Sequence, residues 1–345
     1  MAMADVTIMG AGVFGLALGY VCARRGARVR VVDPGGVAAG ASGGLVGALA
    51  PHVPENWNAK KAFQFDALRA AEGFWAGVAQ QSGRDPGYAR LGRIQPVTEE
   101  GLARARARAE TAAQLWQGFA RWRVIRASAA PGLRLVSPSG WVIADDLSAR
   151  LHPRAATLAL AGAVVALGGQ IVAQGGPSRG PVIWATGHEG LGMLSRALGR
   201  NVGGGVKGQA LALRYSCPGA PQVFADGLHL VPHADGSLAI GSTSEREYDA
   251  PDTVDAQCDA LHARALAICP ELAGAEVIAR WAGVRPRARS RAPLMGPWPG
   301  RAGAFVFNGG FKIGFAMAPA LAEVMADLVL DGHDRIPDGF GTHDL

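Results

Sequence analysis

The hexapeptide Gly10-Ala11-Gly12-Val13-Phe14-Gly15 constrains this chain more than any other feature, because of what surrounds it. Val6-Thr7-Ile8-Met9 reads as a short buried strand, and Val13, Leu16, Ala17, Tyr20 and Val21 then recur at helical spacing until Gly26. Residues 28–33 form a second apolar strand that ends in Asp33. Strand, glycine turn, helix and acid-terminated strand together make one βαβ opening. The first glycine permits the tight turn, the second lets the backbone approach a pyrophosphate, and the third lets helix and strand pack closely. Unpaired amides and the dipole at the helix start favour phosphates. Asp33, eighteen residues beyond Gly15, is placed to accept hydrogen bonds from an adenosine ribose. The pattern predicts a bound dinucleotide; it does not separate FAD from NAD.

Length and composition bound the rest. A chain of 345 residues exceeds one small core and implies two domains, or one with a large insertion. With 49% hydrophobic and 18% charged residues it is a folded globular protein. Its basic residues are almost all arginine, with Lys60, Lys61, Lys207 and Lys312 the only lysines. A net charge of +6 permits nucleic-acid binding without indicating it, and a mild pull on small anionic substrates is the simpler consequence. Cys22, Cys217, Cys258 and Cys269 show no metal or disulfide spacing, which fits reduced thiols. No apolar run reaches bilayer length and no basic leader precedes the first strand, so the expected location is cytoplasmic, with no membrane span.

Further along, residues 38–52 read as a Gly/Ala-rich loop entering a short helix, and residues 60–81, 99–122, 153–168, 252–268 and 313–330 as helices. Residues 171–172, 182–184, 277–281 and 304–307 read as strands, and Ala234-Asp235-Gly236 as the turn of a hairpin. The residues from Gly332 onward are expected to fray.

Several blocks together carry a resemblance. They include Val206-Lys207-Gly208-Gln209, the strand pair Leu230-Val231-Pro232 and Leu238-x-Ile240-Gly241-x-Thr243, and Trp281-Ala282-Gly283-Val284-Arg285-Pro286. Gly310-Phe311-Lys312-x-Gly314 with Ala318-Pro319 completes them. In these motifs and their order the chain resembles the D-amino-acid oxidase/glycine oxidase family of FAD-dependent oxidoreductases. The flavin domain of the bifunctional enzyme that modifies a tRNA wobble uridine belongs to the same family.

The resemblance implies FAD as cofactor and an α/β fold with an α+β substrate half. A Rossmann-like FAD-binding domain (residues 1–55, 145–207 and 283–345) would be interleaved with an antiparallel-sheet substrate domain (56–144 and 208–282), and 332–345 would be the frayed tail. It implies that Ser42, Gly43 and Gly44 line the flavin, and that Ala185 and Gly187 contribute to the cofactor site with Gly10, Gly12, Val13, Phe14, Gly15 and Asp33. The turn formed by Gly309, Gly310, Phe311, Lys312 and Ile313 would aim a helix N-terminus at the isoalloxazine.

Family position and chemistry agree on Arg285 as the anchor for a substrate carboxylate, since a guanidinium meets it bidentately and stays charged when desolvated. Lys312 stands where some relatives place a second basic group, His229 where glycine oxidases have a substrate-binding tyrosine, and His52 follows the flavin loop. The implied reaction oxidises the C–N bond of a small amine or amino acid by hydride transfer, giving an imine that hydrolyses. Ser244-Glu245 stands where sarcosine oxidases place an oxygen-activating lysine, which leaves the electron acceptor open between oxygen and another molecule. After Arg285 come Arg287, Arg289 and Arg291, and this charge suggests a substrate with a second anionic group. Two other readings stand beside the amine oxidoreductase: a flavin enzyme acting on a modified tRNA nucleoside, and a non-catalytic dinucleotide-sensing module.

Overall fold

A computed structural model describes residues 4–176, 178 and 180–345. Its helices are α1 (Val13–Arg24), α2 (Ala59–Ser82), α3 (Leu102–Leu115), α4 (Pro153–Ala166), α5 (Gly187–Leu198), α6 (Ala256–Ile268) and α7 (Gly314–Asp331). The apolar run before the glycine turn forms the strand Val6–Met9, buried because it lies inside a six-stranded sheet. Across that sheet the order is Leu294–Pro297, Ala304–Asn308, Val182–Trp184, Val6–Met9, Val29–Val32 and Gln170–Val172. All its pairings are parallel except the one between Leu294–Pro297 and Ala304–Asn308. A parallel sheet needs both faces covered: α1, α4 and α7 lie side by side over one, with α2 packed over α4 and α7, and on the other Ala304 and Val306 meet Leu191 and Leu194 of α5.

The second sheet has eight strands, in the order Val277–Ala288, Gly203–Arg214, Ser237–Gly241, Leu228–Pro232, Gln222–Ala225, Arg93–Pro96, Trp141–Asp145 and Trp122–Arg126. It is antiparallel apart from the pairing of Gln222–Ala225 with Arg93–Pro96. Its first two strands, twelve residues each, form a ribbon in which Val206 pairs with Arg285 and Gly204 with Arg287. Both long strands pass the boundaries expected near residues 207 and 283, so the chain enters each half without a linker there. Within the segment expected to serve the substrate half, α2 packs on helices that cover the parallel sheet.

Four expectations are corrected. The helix expected over 99–122 closes at Leu115, because Gln117 and Gly118 take positive φ (48° and 78°) and turn the chain into a strand beginning at Trp122. The strand expected over 277–281 runs on to Ala288. The C-terminal residues are docked, not frayed: Phe340 is 1% exposed against Phe63, and its carbonyl accepts from the Met295 amide at 2.8 Å. In residues 38–52 the expected short helix is a single turn, Ala41–Gly43, followed by the strand Ala48–Leu49. Among the described residues no helix is long and apolar enough to cross a membrane.

Candidate functional site

The glycine turn is built as a cradle. Gly10 has φ +111°, and a Cβ there would run into the carbonyl of Ala185, on the turn after the neighbouring strand. The amide of Ala185 in turn donates to the Met9 carbonyl at 2.8 Å, so the two turns form one floor. Asp33 ends its strand as expected and accepts from the Ala11 amide at 2.8 Å and the Gly35 amide at 2.9 Å, which fixes its carboxylate beside the turn. No side chain caps α1 at Gly12, and the Val13 amide donates to Ser42 Oγ at 2.9 Å. Among the described residues the Phe14 and Gly15 amides have no acceptor, which is how a helix start looks when an anion is to sit on it.

The flavin loop and the final turn reach the same region. Gly44 lies against the Trp281 ring, and Gly310 is packed so close to the Phe14 ring that a Cβ would come within 2.9 Å of it. Gly309 takes φ +78° and its amide is held by Asn308 Oδ1 at 2.7 Å, which turns the chain into α7 with Ile313 at the helix boundary. Asn308 Nδ2 donates to the Gly187 carbonyl at 2.8 Å, tying this turn to residues 185–187. Thr186 Oγ1 is buried with no partner. An adenine dinucleotide with a flavin fits this set: bare helix amides, a strand-end carboxylate, a glycine floor and an orphaned hydroxyl.

Beside the final turn lies a pocket of about 180 Å³. Its walls bring together His52, His229 and Lys312 from distant parts of the chain, with Gln64, Arg93 and Phe224. Gln64 is 1% exposed; its Oε1 accepts from the His52 amide at 2.9 Å and contacts His52 Nδ1, which fixes the imidazole. Burial pushes His229 down to about 3, helped by the charges of Arg93 and Lys312, so it is neutral at physiological pH. Its Nδ1 is buried without a partner, and its ring stacks on Phe224 with centroids 4.6 Å apart. Burial, then the Arg285 charge, lowers the Lys312 ammonium, and burial lowers His52.

Arg285 is placed differently from expectation. Its guanidinium lies under the long ribbon, donating from Nη1 to Ser242 Oγ at 2.6 Å and from Nη2 to the Thr243 carbonyl at 2.6 Å and, more weakly, to that of Lys207 at 3.3 Å. It does not line the 180 Å³ pocket, and its guanidinium carbon lies 5.7 Å from the centroid of the Phe311 ring, next to the pocket residue Lys312. Burial brings it down to about 10, opposed by Glu245, so it remains charged. Its Nε is buried with no partner.

Arg93 and Gln64 were not foreseen. Arg93 is 6% exposed and its Nε donates to Asp145 at 2.9 Å. Nothing in the run Arg90-Leu91-Gly92-Arg93-Ile94 sets Arg93 apart from a surface arginine in the sequence alone. Glu245, expected only as a departure from relatives, is buried with Lys207 at 3.6 Å and accepts from Gln209 at 3.2 Å. The arginines of α3 diverge: Arg106 covers the Trp141 ring and Arg108 pairs with Glu55 at 2.6 Å.

Known proteins can now be set beside this geometry. A family model described as FAD dependent oxidoreductase matches residues 5–328. A glycine oxidase of Geobacillus kaustophilus is 30% identical over 94% of this chain and 92% of its own length. Among solved structures, a Bacillus cereus glycine oxidase superposes with a TM-score of 0.82 at 21% identity, covering 96% of each chain. An iminodiacetate oxidase from Chelativorans superposes with a TM-score of 0.83 at 21% identity, over 97% of this chain and 98% of that one.

Proposed function

Because the chain belongs to the family of FAD-dependent oxidoreductases that includes the glycine oxidases, we propose that it oxidises the carbon–nitrogen bond of a small amino acid or secondary amine. The observation that carries this reading is the pocket beside the final turn, where neutral imidazoles and cations face one cavity. FAD, when bound, supplies the two-electron acceptor.

The chain's own groups divide the remaining work. Lys312 and Arg93 draw a substrate carboxylate into the cavity, with Arg285, beside Phe311, adding positive potential. Neutral His229, too weakly basic to take a proton from an ammonium, presents Nδ1 as a hydrogen-bond partner to the substrate nitrogen, and the ammonium gives its proton to solvent, leaving the amine lone pair free. Loss of that proton and of a hydride from the α-carbon leaves a protonated imine, C=NH+, and water then splits it into a carbonyl compound and ammonia or an amine. His52, held by Gln64, keeps one wall fixed, so the substrate is oriented without a general carboxylate base.

The test is anaerobic titration of the purified yellow protein with glycine, sarcosine, iminodiacetate, D-alanine, L-proline and L-glutamate. Bleaching of the visible flavin band by at least one of these amines, with release of the matching carbonyl product, is expected. A protein that carries FAD and is bleached by none of them refutes the proposal.

A further inference from the structure

A second cavity, of about 360 Å³, opens at the far end of the ribbon and takes no part in the chemistry above. Four arginines stand around it: Arg246, Arg287, Arg289 and Arg291. None of the ten residues on its wall is acidic. Among the described residues no guanidinium of the four makes a hydrogen bond or an ion pair, and Arg287 alone has a ring neighbour, Phe311 at 5.5 Å. A further cation is near, since Lys60 Nζ donates to the Arg291 carbonyl. Three of the four, Arg246, Arg289 and Arg291, are exposed, and with no carboxylate on the wall the group raises the local positive potential and leaves guanidinium forks free to take an anion.

The floor points the same way. Gly204 pairs with Arg287 across the ribbon, and a Cβ built on it would meet nothing within 4 Å. Its neighbours Gly203 and Gly205 are confined by contacts that a side chain would break, but Gly204 has no such packing reason. The absence of a side chain there keeps the cavity open between the arginines.

We propose that this cavity is a binding site for a small polyanion bearing carboxylate or phosphate groups, held by the forks of Arg246, Arg287, Arg289 and Arg291 over the bare backbone at Gly204. The polyanion has two sources, the far end of an acidic amine substrate or a separate metabolite, and the chemistry of recognition is the same for both. The site stands independently of the amine reaction, because its evidence is a binding surface.

Calorimetric titration of the FAD-loaded protein with citrate and with pyrophosphate tests it. Saturable binding of at least one probe is expected, weakened tenfold or more in Arg246→Ala/Arg289→Ala and in Gly204→Leu, and weakened by added sodium chloride. The two arginines are exposed, so that double variant should melt no lower than the parent. If the bound probe raises KM for iminodiacetate or L-glutamate but not for glycine, the source is the substrate; if it moves none of them, the source is a separate anion. No saturable binding of either probe, or binding unchanged in both variants, overturns the proposal while leaving the amine reaction untouched.

Discussion

The guanidinium carbon of Arg285 lies 5.7 Å from the centroid of the Phe311 ring, and Lys312 Nζ lies 5.8 Å from the same centroid. A half-buried arginine and the lysine that opens into the pocket therefore share one aromatic neighbour. Lys312 lines the cavity and Arg285 adds its charge from nearby, in surroundings where charges are screened less than at the surface. Replacement of Arg285 by alanine should lower kcat/KM about 5- to 30-fold, about 1–2 kcal/mol, because it acts on the cavity only through its charge. Steady-state kinetics on the best substrate of the titration decide this, and a variant within threefold of the parent removes Arg285 from the mechanism.

Lys312 is the more direct contact. Lys312→Met should raise KM for an amino acid about tenfold or more while moving kcat less, because the lost interaction is made by bound substrate and transition state alike. Lys312→Arg should recover most of the loss. Equal falls in kcat for both variants, with KM unchanged, would contradict a carboxylate-binding role.

Acid should destabilise the folded chain in a defined window. His229 and His233 are depressed by burial to about 3 and about 4, from 6.5 when unfolded. A group whose folded value is depressed binds its proton more readily in the unfolded chain, so its contribution is present above pH 6.5 and lost as the pH falls toward 4. Each histidine should withdraw about 2 kcal/mol between pH 8 and pH 5. Urea unfolding at the two pH values measures it, and His233→Phe should flatten the slope. An unchanged slope would mean that these imidazoles are already solvated.

Gly10→Val should abolish FAD retention. The positive φ and the facing Ala185 carbonyl leave no room for a side chain, and the change falls on the floor of the cradle. The visible absorbance of the purified variant is the readout. Retention of a full complement of FAD would place the dinucleotide elsewhere.

The docked C-terminus makes a separate prediction. Phe340→Ala should cost about 3–5 kcal/mol, because a ring 1% exposed is removed from beside Phe63. Chemical denaturation measures this, and a loss below 1 kcal/mol would mean that the tail detaches before the core unfolds.

The dinucleotide cradle was legible in the sequence because it is local. Gly10, Gly12, Gly15 and Asp33 lie within one strand–turn–helix–strand unit, and each is needed for a backbone or charge reason that a reader of residues can state. The hairpin about Asp235-Gly236 and the long C-terminal helix were legible for the same reason. What only the tertiary structure decided is the company each side chain keeps. His52, Arg93, His229 and Lys312 come from four separate regions and meet because the antiparallel sheet and the final turn close on one cavity. Arg285, expected from its position to anchor a carboxylate, is held by Ser242 Oγ and the Thr243 carbonyl and is not on the wall of that cavity. Ionisation follows from burial, which no spacing of residues encodes, so the neutrality of His229 could not be read before the fold was known.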